Sequence, residues 1–369
     1  MPESWITVDD AERLAAERLE AGVLGYFAGG AGDEETLRDN REAWRRWRLL
    51  PRVLTDVAEV STAAEVLGGP VSAPILVAPT AFQRLLHPEG ELATARAAAA
   101  AGTVFCHSTL ATVAPTEVAA AAPPGRRWCQ LYCFEDEGVT RALWEHALAA
   151  GYEAIVLTVD APPAGNRERD LRTGFVIPAE LRVPALDAAC GPGREYTLQQ
   201  TFDLMDRSLD WDDFADLAAE TGVPVLVKGL LAGADAALAV EHGAAGVVVS
   251  NHGGRQLDRS LATADALTEV VETVEGRVPV LVDGGIRRGI DVALALALGA
   301  EAVLVGRPAL WGLTLDGEDG VGRVLELLRT ELALALALCG VTAPDQLTRA
   351  HARRGPAASV YSPQVSTTE

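Results

Sequence analysis

Short, unbroken apolar runs recur along the chain, each followed by a turn and then by a stretch with helical spacing. Eight stand out: Ile75–Ala78, Thr103–His107, Trp128–Tyr132, Ala154–Thr158, Val225–Lys228, Gly246–Ser250, Val280–Asp283 and Ala302–Gly306. The stretches between them are alanine-rich, as in Gly90–Ala101, Val139–Ala150, Ala234–Gly243 and Gly289–Gly299. A strand that is apolar on both sides needs cover on both sides. Such runs alternating with helices therefore predict a parallel sheet. Eight of these units predict an α/β protein, a closed (β/α)8 TIM barrel. An open doubly wound sheet would want G-x-G-x-x-G after its first strand; here that strand ends in Ala78-Pro-Thr-Ala81.

The flanks predict a single domain with a helical cap over residues 1–70, a barrel over 71–340 and a tail over 341–369. Val8–Leu24 has helical spacing, with Asp9 or Asp10 as its N-cap. Phe27–Asp33 reads as a glycine-rich turn, and Glu34–Trp47 as a charged helix covering the bottom or the lip of the barrel. The longest break in the alternation, Phe175–Ser208, follows the fourth barrel strand and carries Pro178, Pro184, Gly191, Pro192 and Gly193. A long structureless insert in a barrel is expected to be a functional loop or lid. After Arg353 the chain is small and polar and is expected to fray.

Composition narrows the function. With 31 Lys+Arg against 52 Asp+Glu, the net charge of −21 argues against nucleic acid and against an anionic membrane surface as partners. No apolar run reaches the ~18 residues of a membrane span, and the acidic start has no basic or apolar leader. The five cysteines are odd in number and scattered, with neither a disulfide frame nor a metal ladder. The expectation is a reducing, cytoplasmic location and no metal. Lysine usage says more: Lys228 is the only lysine among 31 basic residues. A lone lysine at the end of an apolar strand suggests a place where arginine's planar fork would not serve.

The C-terminal ends of barrel strands form the active face of this fold. In strand order they offer Pro79, Thr80 and Ala81; Ser108; Gln130 and Tyr132; Thr158, Asp160 and Arg167; Lys228; Ser250, Asn251, His252 and Arg255; Asp283, Gly284, Gly285, Ile286 and Arg287; Gly306 and Arg307. A purely structural barrel has no need of polar groups at all its strand ends. The last two sets read as a phosphate site: glycines admit backbone N–H groups to an anion, and Arg287 and Arg307 add charged donors. His252 is the general acid/base candidate, with Asp160 positioned to hold its far nitrogen. His87, His107, His146, His242 and His351 read as helix, turn or core positions. Arg255 and Arg167 suit a bidentate grip on a carboxylate.

Ser250-Asn-His-Gly-Gly-Arg-Gln-Leu-Asp258 resembles the signature of the FMN-dependent 2-hydroxy-acid oxidases and dehydrogenases. The resemblance runs from about Tyr26 to Leu313 and includes Ala78–Ala81, His87-Pro-Glu-Gly-Glu91, Gln130-Leu-Tyr132, Leu157-Thr-Val-Asp160, Leu226-Val-Lys-Gly229 and Asp283-Gly-Gly-Ile-Arg-Arg-Gly289. It implies FMN as cofactor, a small 2-hydroxy acid as substrate and a homo-oligomer, usually a tetramer. By the same resemblance Pro79, Thr80, Ala81, Ser108, Gln130, Thr158 and Ser250 would hold the flavin, and Lys228 would place a point charge beside the ring. Asp283–Arg287, Gly306 and Arg307 would take the phosphate and ribityl chain. Arg255 and Arg167, helped by the hydroxyls of Tyr26 and Tyr132, would bind the substrate carboxylate, and His252 would take a proton.

Departures from the family pattern refine the expectation. Leu110 stands where glycolate-specific members often have Trp, so the pocket is expected to admit bulkier or aromatic C2 substituents. Asn166 replaces an Arg common just before Arg167. Ala81 occupies a position that tends to be Ala in oxidases and Gly in dehydrogenases, which favours O2 as acceptor. Two alternatives remain from sequence: a dehydrogenase of the same family serving a quinone or carrier protein, and a non-redox phosphate-binding barrel in which Lys228 forms a Schiff base.

Overall fold

The computed structural model of the chain describes residues 5–178, 180–190 and 198–355. Helices α1 (Val8–Arg18), α2 (Ala21–Ala28) and α3 (Glu35–Arg45) come first, then strand β1 (Trp47–Leu49) and the hairpin of β2 (Ala64–Val66) and β3 (Gly69–Val71). The alternation begins with β4 (Ile75–Val77), α4 (Glu91–Ala100), β5 (Phe105–His107), α5 (Pro115–Ala121), β6 (Arg127–Leu131), α6 (Glu137–Ala149) and β7 (Ala154–Thr158). Then come α7 (Glu168–Thr173), α8 (Pro184–Cys190), α9 (Leu198–Asp203), α10 (Trp211–Thr221), β8 (Val225–Leu230), α11 (Gly233–Glu241) and β9 (Gly246–Val249). The chain closes with α12 (Thr263–Val274), β10 (Val280–Val282), α13 (Gly289–Ala297), β11 (Ala302–Val305), α14 (Arg307–Cys339) and β12 (Ala352–Arg354). Each expected apolar run is a strand, and the eight close into one parallel barrel in the order β10-β11-β4-β5-β6-β7-β8-β9.

The pleat explains where the chemistry goes. Side chains two apart share a face of a strand. Leu76, Cys106, Trp128, Val156, Leu226, Val248, Leu281 and Leu304 belong to one apolar cluster inside the barrel. Two residues further along the same strands come Ala78, Ser108, Gln130, Thr158, Lys228, Ser250, Asp283 and Gly306. Val66 and Val71 join the interior cluster, so the β2–β3 hairpin plugs the bottom. The N-terminal helices instead cover the lip: Ala31 N–H donates to the Gly254 carbonyl at 2.9 Å, and Trp44 Nε1 donates to the Gly284 carbonyl at 2.8 Å. The amides of Asn40 and Asn251 bond reciprocally, both at 2.8 Å.

Several expectations need correction. Val8–Leu24 is two helices, because Leu19 and Glu20 are extended. The cap of α1 is Thr7, not Asp9 or Asp10. Thr7 Oγ1 accepts from Asp10 N–H at 3.0 Å, and the Asp10 carboxylate reaches back to Thr7 N–H at 3.1 Å. Thus Asp10 is the third helical residue of a capping box. Glu34 has φ of 60°, so α3 starts after it, and Trp47 leaves the helix to pair with Arg354. The segment Phe175–Ser208 is not structureless: it holds α8, which packs on α6, and α9. Gly191, Pro192 and Gly193 lie outside the described residues, as does the tail from residue 356. Arg353 itself is in β12, paired antiparallel with β1. Among the described residues no helix is long and apolar enough to cross a membrane, and no group of side chains is arranged to hold a metal ion.

Candidate active site

The upper barrel layer opens into a cleft with about 1030 Å³ of empty space, mouth included. Gln130, at the end of β6, has its amide orientation set from one side: Oε1 accepts the Thr109 N–H at 3.1 Å. Its buried Nε2 then has no partner, and neither do the buried Thr158 Oγ1 and Asp283 Oδ1. Buried polar atoms are rarely left this way, and these three belong to residues lining one cleft. Between them lies Lys228, whose ammonium donates to Ser250 Oγ at 2.9 Å and pairs with Asp283 Oδ2 at 3.2 Å. Burial alone would lower its pKa, but Asp283 and then Asp160 raise it, so the lysine stays charged.

His252 follows β9 in a tight turn. Its φ of 57° lies in the left-handed region that non-glycine residues seldom adopt. The turn is held by its own N–H, which donates to Ser250 Oγ at 3.1 Å. Ser250 Oγ thus binds both the Lys228 ammonium and the backbone of His252. His252 Nδ1 lies 2.9 Å from Asp160 Oδ1. Burial lowers the imidazole pKa despite the carboxylate beside it. Burial pushes Asp160 up, but the charge and hydrogen bond of His252 bring it below the usual carboxylate value. At neutral pH the pair is therefore a carboxylate holding a neutral imidazole, with Nδ1–H donating and Nε2 free to accept.

Four arginines border the same space. Arg255 donates to the carbonyls of Tyr26 and Gly29, the latter at 3.2 Å, and lies over the Tyr26 ring, 5.0 Å from its centre. Burial, and then Arg167, push Arg255 down to about 10. Arg167 lies 5.9 Å from the ring centres of both Tyr26 and Phe202, and its buried Nε has no partner. Arg307 donates to the carbonyls of Phe27, Gly253 and Gly29 at 2.9, 2.9 and 2.8 Å. Burial, and then Arg255, bring Arg307 down to about 9. Arg287 Nη1 donates to the Ile286 carbonyl at 3.0 Å, while its buried Nε has no hydrogen-bond partner. Arg255 and Arg307 remain charged at neutral pH, and the four guanidinium groups together concentrate basic side chains in a chain of net −21.

The cleft is lined by Tyr26, Pro79, Thr80, Ala81, Ser108, Leu110, Gln130, Tyr132, Thr158, Arg167, Lys228, His252, Arg255, Asp283, Gly284, Gly285, Ile286, Arg287, Gly306 and Arg307. Asp160 and Ser250 stand directly behind it, bonded to His252 and Lys228. Residues that sequence reasoning missed include Phe27, Gly253 and Phe202. Phe202 arrives from α9, far from any motif, and nothing local signals it. The Gly284–Gly285 pair also has a packing cause: φ is 91° and 80°, and a Cβ on Gly285 would meet the Asn40 carbonyl oxygen at 2.0 Å. The role of Glu91 was missed as well. This residue is fully buried and accepts from Gln83 N–H at 3.1 Å and Thr112 N–H at 2.9 Å. Gln83 Nε2 donates in turn to Thr80 Oγ1 at 2.9 Å. Glu91 therefore ties the loop after β4 to the loop after β5, beneath Thr80 and Leu110.

Comparison with known proteins agrees with this geometry. The family model described as FMN-dependent dehydrogenase matches residues 15–354. An L-lactate oxidase of Nostoc sp. is 49% identical over 346 residues, covering 91% of this chain and 95% of the relative. A glycolate oxidase of Spinacia oleracea is 46% identical over 353 residues, covering 93% and 94%. The crystal structure of mandelate oxidase with (S)-4-hydroxymandelic acid is similar with a TM-score of 0.89 at 42% identity, covering 96% of this chain and all of that one.

Proposed function

The chain belongs to the FMN-dependent dehydrogenase family, and on that premise we propose how its own residues divide the work of oxidising a 2-hydroxy acid. It is an FMN-dependent 2-hydroxy-acid oxidase that uses O2 as acceptor. The unpartnered atoms fit the cofactor: Gln130 Nε2 is a donor, Thr158 Oγ1 both donor and acceptor, and the arginine-rich end suits a phosphate. FMN, when bound, accepts the electron pair leaving C2 of the substrate and passes it to dioxygen, giving the 2-oxo acid and hydrogen peroxide.

In this reading Pro79, Thr80, Ala81, Ser108, Gln130, Thr158 and Ser250 hold the ring system, and Lys228 supplies a fixed positive charge beside it. Asp283, Gly284, Gly285, Ile286, Arg287, Gly306 and Arg307 hold the phosphate end. Arg167 and Arg255 grip the substrate carboxylate, with Tyr26 and Tyr132 alongside. Nε2 of His252 takes the substrate proton, and Asp160 stabilises the imidazolium that results. The observation that supports this assignment is the shared hydroxyl of Ser250, which ties the backbone of His252 and the Lys228 ammonium together in the lining of one cleft. A Schiff base on Lys228 is disfavoured, because a lysine held charged by Asp283 is no nucleophile. The test is anaerobic addition of a 2-hydroxy acid to the yellow protein, which should bleach it. Protein that cannot take up FMN, or that stays yellow, would overturn the reading.

Three finer points complete the proposal. Leu110, buried in the cleft wall, leaves room for aromatic or bulky C2 substituents. Mandelate should then bleach the flavin with a higher kcat/KM than glycolate; the reverse order would remove this point. Leu50, Val53, Leu54, Leu334 and Leu338 are exposed, and Arg52 N–H bonds the Cys339 carbonyl at 3.1 Å, bringing the two groups together. This patch supports a homo-tetramer, to be read as a fourfold mass by light scattering. The thiols of Cys106, Cys129, Cys133 and Cys339 support a reducing cytoplasmic location, which cell fractionation would check.

A further inference from the structure

We propose that Gln256 is a positioning residue for the reaction: its side-chain amide holds the segment that carries both Asp160 and Arg167, and so couples the base to the carboxylate grip. This rests on the reading of the cleft as a 2-hydroxy-acid site. Gln256 does not itself line the cleft. Its Nε2 donates to the carbonyl oxygens of Asp160 at 2.6 Å, Ala161 at 3.0 Å and Pro163 at 3.2 Å. Its Oε1 accepts the Gly165 N–H at 3.1 Å. With carbonyls on one side and an N–H on the other, the partners fix which end of the amide is which. The segment has little else to hold it. Val159 N–H donates to the Lys228 carbonyl at 2.9 Å, and the Asn166 carbonyl accepts from Gly32 N–H at 2.9 Å. Between those two points, among the described residues, the segment makes no backbone-to-backbone hydrogen bond.

Carbonyl dipoles gathered at one point repel unless a donor stands among them. A carboxamide supplies that donor, accepts an N–H as well, and adds no charge beside the Asp160–His252 pair. Both ends of the held segment matter to the reaction. At one end the Asp160 carboxylate lies 2.9 Å from His252 Nδ1. Beneath it, a Cβ on Gly229 would meet the Cβ of Asp160 at 2.7 Å, so the residue rests on bare backbone. At the other end, just past Gly165, Arg167 lines the cleft. The facing loop, after β9, carries His252 and Arg255 immediately before Gln256. The two loops touch: a Cβ on Gly165 would meet the carbonyl oxygens of Arg255 and Gln256 at 2.3 and 2.6 Å. The amide therefore sets Asp160 and Arg167 against His252 and Arg255 as one unit.

The test uses the FMN-loaded full chain. Gln256→Met keeps most of the bulk and removes the amide. Gly165→Ala pries the same two loops apart from the other side, and either folded variant suffices. One readout is the bleaching rate at saturation with the fastest of glycolate, lactate and mandelate. The other is the Kd of 2-hydroxy-2-methylpropanoate, read from flavin absorbance. That acid has no hydrogen on C2 and cannot be oxidised. In protein that retains FMN the saturating rate should fall at least about tenfold, since a misplacement of about 1 Å can cost ~10²-fold. The Kd should rise at least about fivefold as Arg167 is displaced. A merely structural role would lower FMN content and the unfolding midpoint but leave rate and Kd of the loaded fraction unchanged. That result overturns the proposal, and so does a change in only one of the two, which would uncouple base from grip. If the parent chain bleaches and the variants match it, only the role of Gln256 falls. If no 2-hydroxy acid bleaches the parent, the reading of the cleft falls and this role with it.

Discussion

In the lower interior of the barrel, Leu76, Trp128, Leu226 and Leu281 are fully buried in one apolar cluster. One pleat higher, on the same faces of the same strands, Gln130, Lys228 and Asp283 are nearly as buried but charged or unsatisfied. About 7 Å of strand separates the two layers. The lower layer gains stability from contact with itself. The upper layer does not: each buried polar group without a partner costs about 1–3 kcal/mol. Stability and chemistry are thus written on alternate turns of one two-residue repeat. The upper layer is complete only when a ligand brings the missing acceptors and donors.

This contrast can be broken from either side. The largest expected effect is in the upper layer. His252→Ala should lower the rate of substrate-driven bleaching by at least ~10²-fold in protein that still takes up FMN; near-normal bleaching would take His252 out of the role of base. In the lower layer Leu281→Ala should remove about 2–5 kcal/mol of stability in urea titrations while the bleaching rate of folded protein changes less than twofold. Were that rate to collapse, the two layers would not be separable. Lys228→Arg keeps the charge but replaces a compact ammonium by a planar fork. It should slow bleaching about tenfold through the lost bond to Ser250, the usual scale for a charged hydrogen bond, and an unaltered rate would show that any cation suffices.

The smallest expected effect is in pH dependence. His252 is held below its ordinary value, and His107, buried against Tyr152, is pushed by burial down to about 4. Both are therefore neutral in the folded chain at pH values where the unfolded chain takes up protons. The contribution of these two histidines is thus fully present above about 6.5 and is lost as pH drops below that value, for His107 down to about 4. Flattening of this slope in His107→Gln would support the assignment, and an unchanged slope would place it elsewhere.

Most of the upper layer was legible in the sequence because the pleat forces it to be. An apolar run that ends in Lys228 or Asp283 must turn that side chain either inward or toward the helices, and the motif around His252 marks which. The eight strands were legible because a strand covered on both sides has no polar positions to blur it. What was not legible comes from distant segments. The hairpin that plugs the bottom is only three residues per strand, too short to carry a period. Glu91 closes the His87–Glu91 motif with no role assigned to it, and only the fold shows it tied to Gln83 and Thr112. Phe202 reaches the cleft from α9, in the stretch after β7, where composition suggested a bare loop. The cap at Thr7 was missed because the acidic residues after it are equally good caps in isolation.

The pairing of β1 with β12 joins the beginning of the chain to its end. Trp47–Leu49 lies against Ala352–Arg354, and Gly355 N–H donates to the Arg46 carbonyl at 2.7 Å. Immediately upstream, α3 presents Asn40 and Trp44 to the turns that carry Asn251 and Gly284. Strand β12 is therefore a clasp on the lip of the barrel. Trimming the chain short of Ala352 should loosen a wall of the cleft some 300 residues away in sequence from the cut.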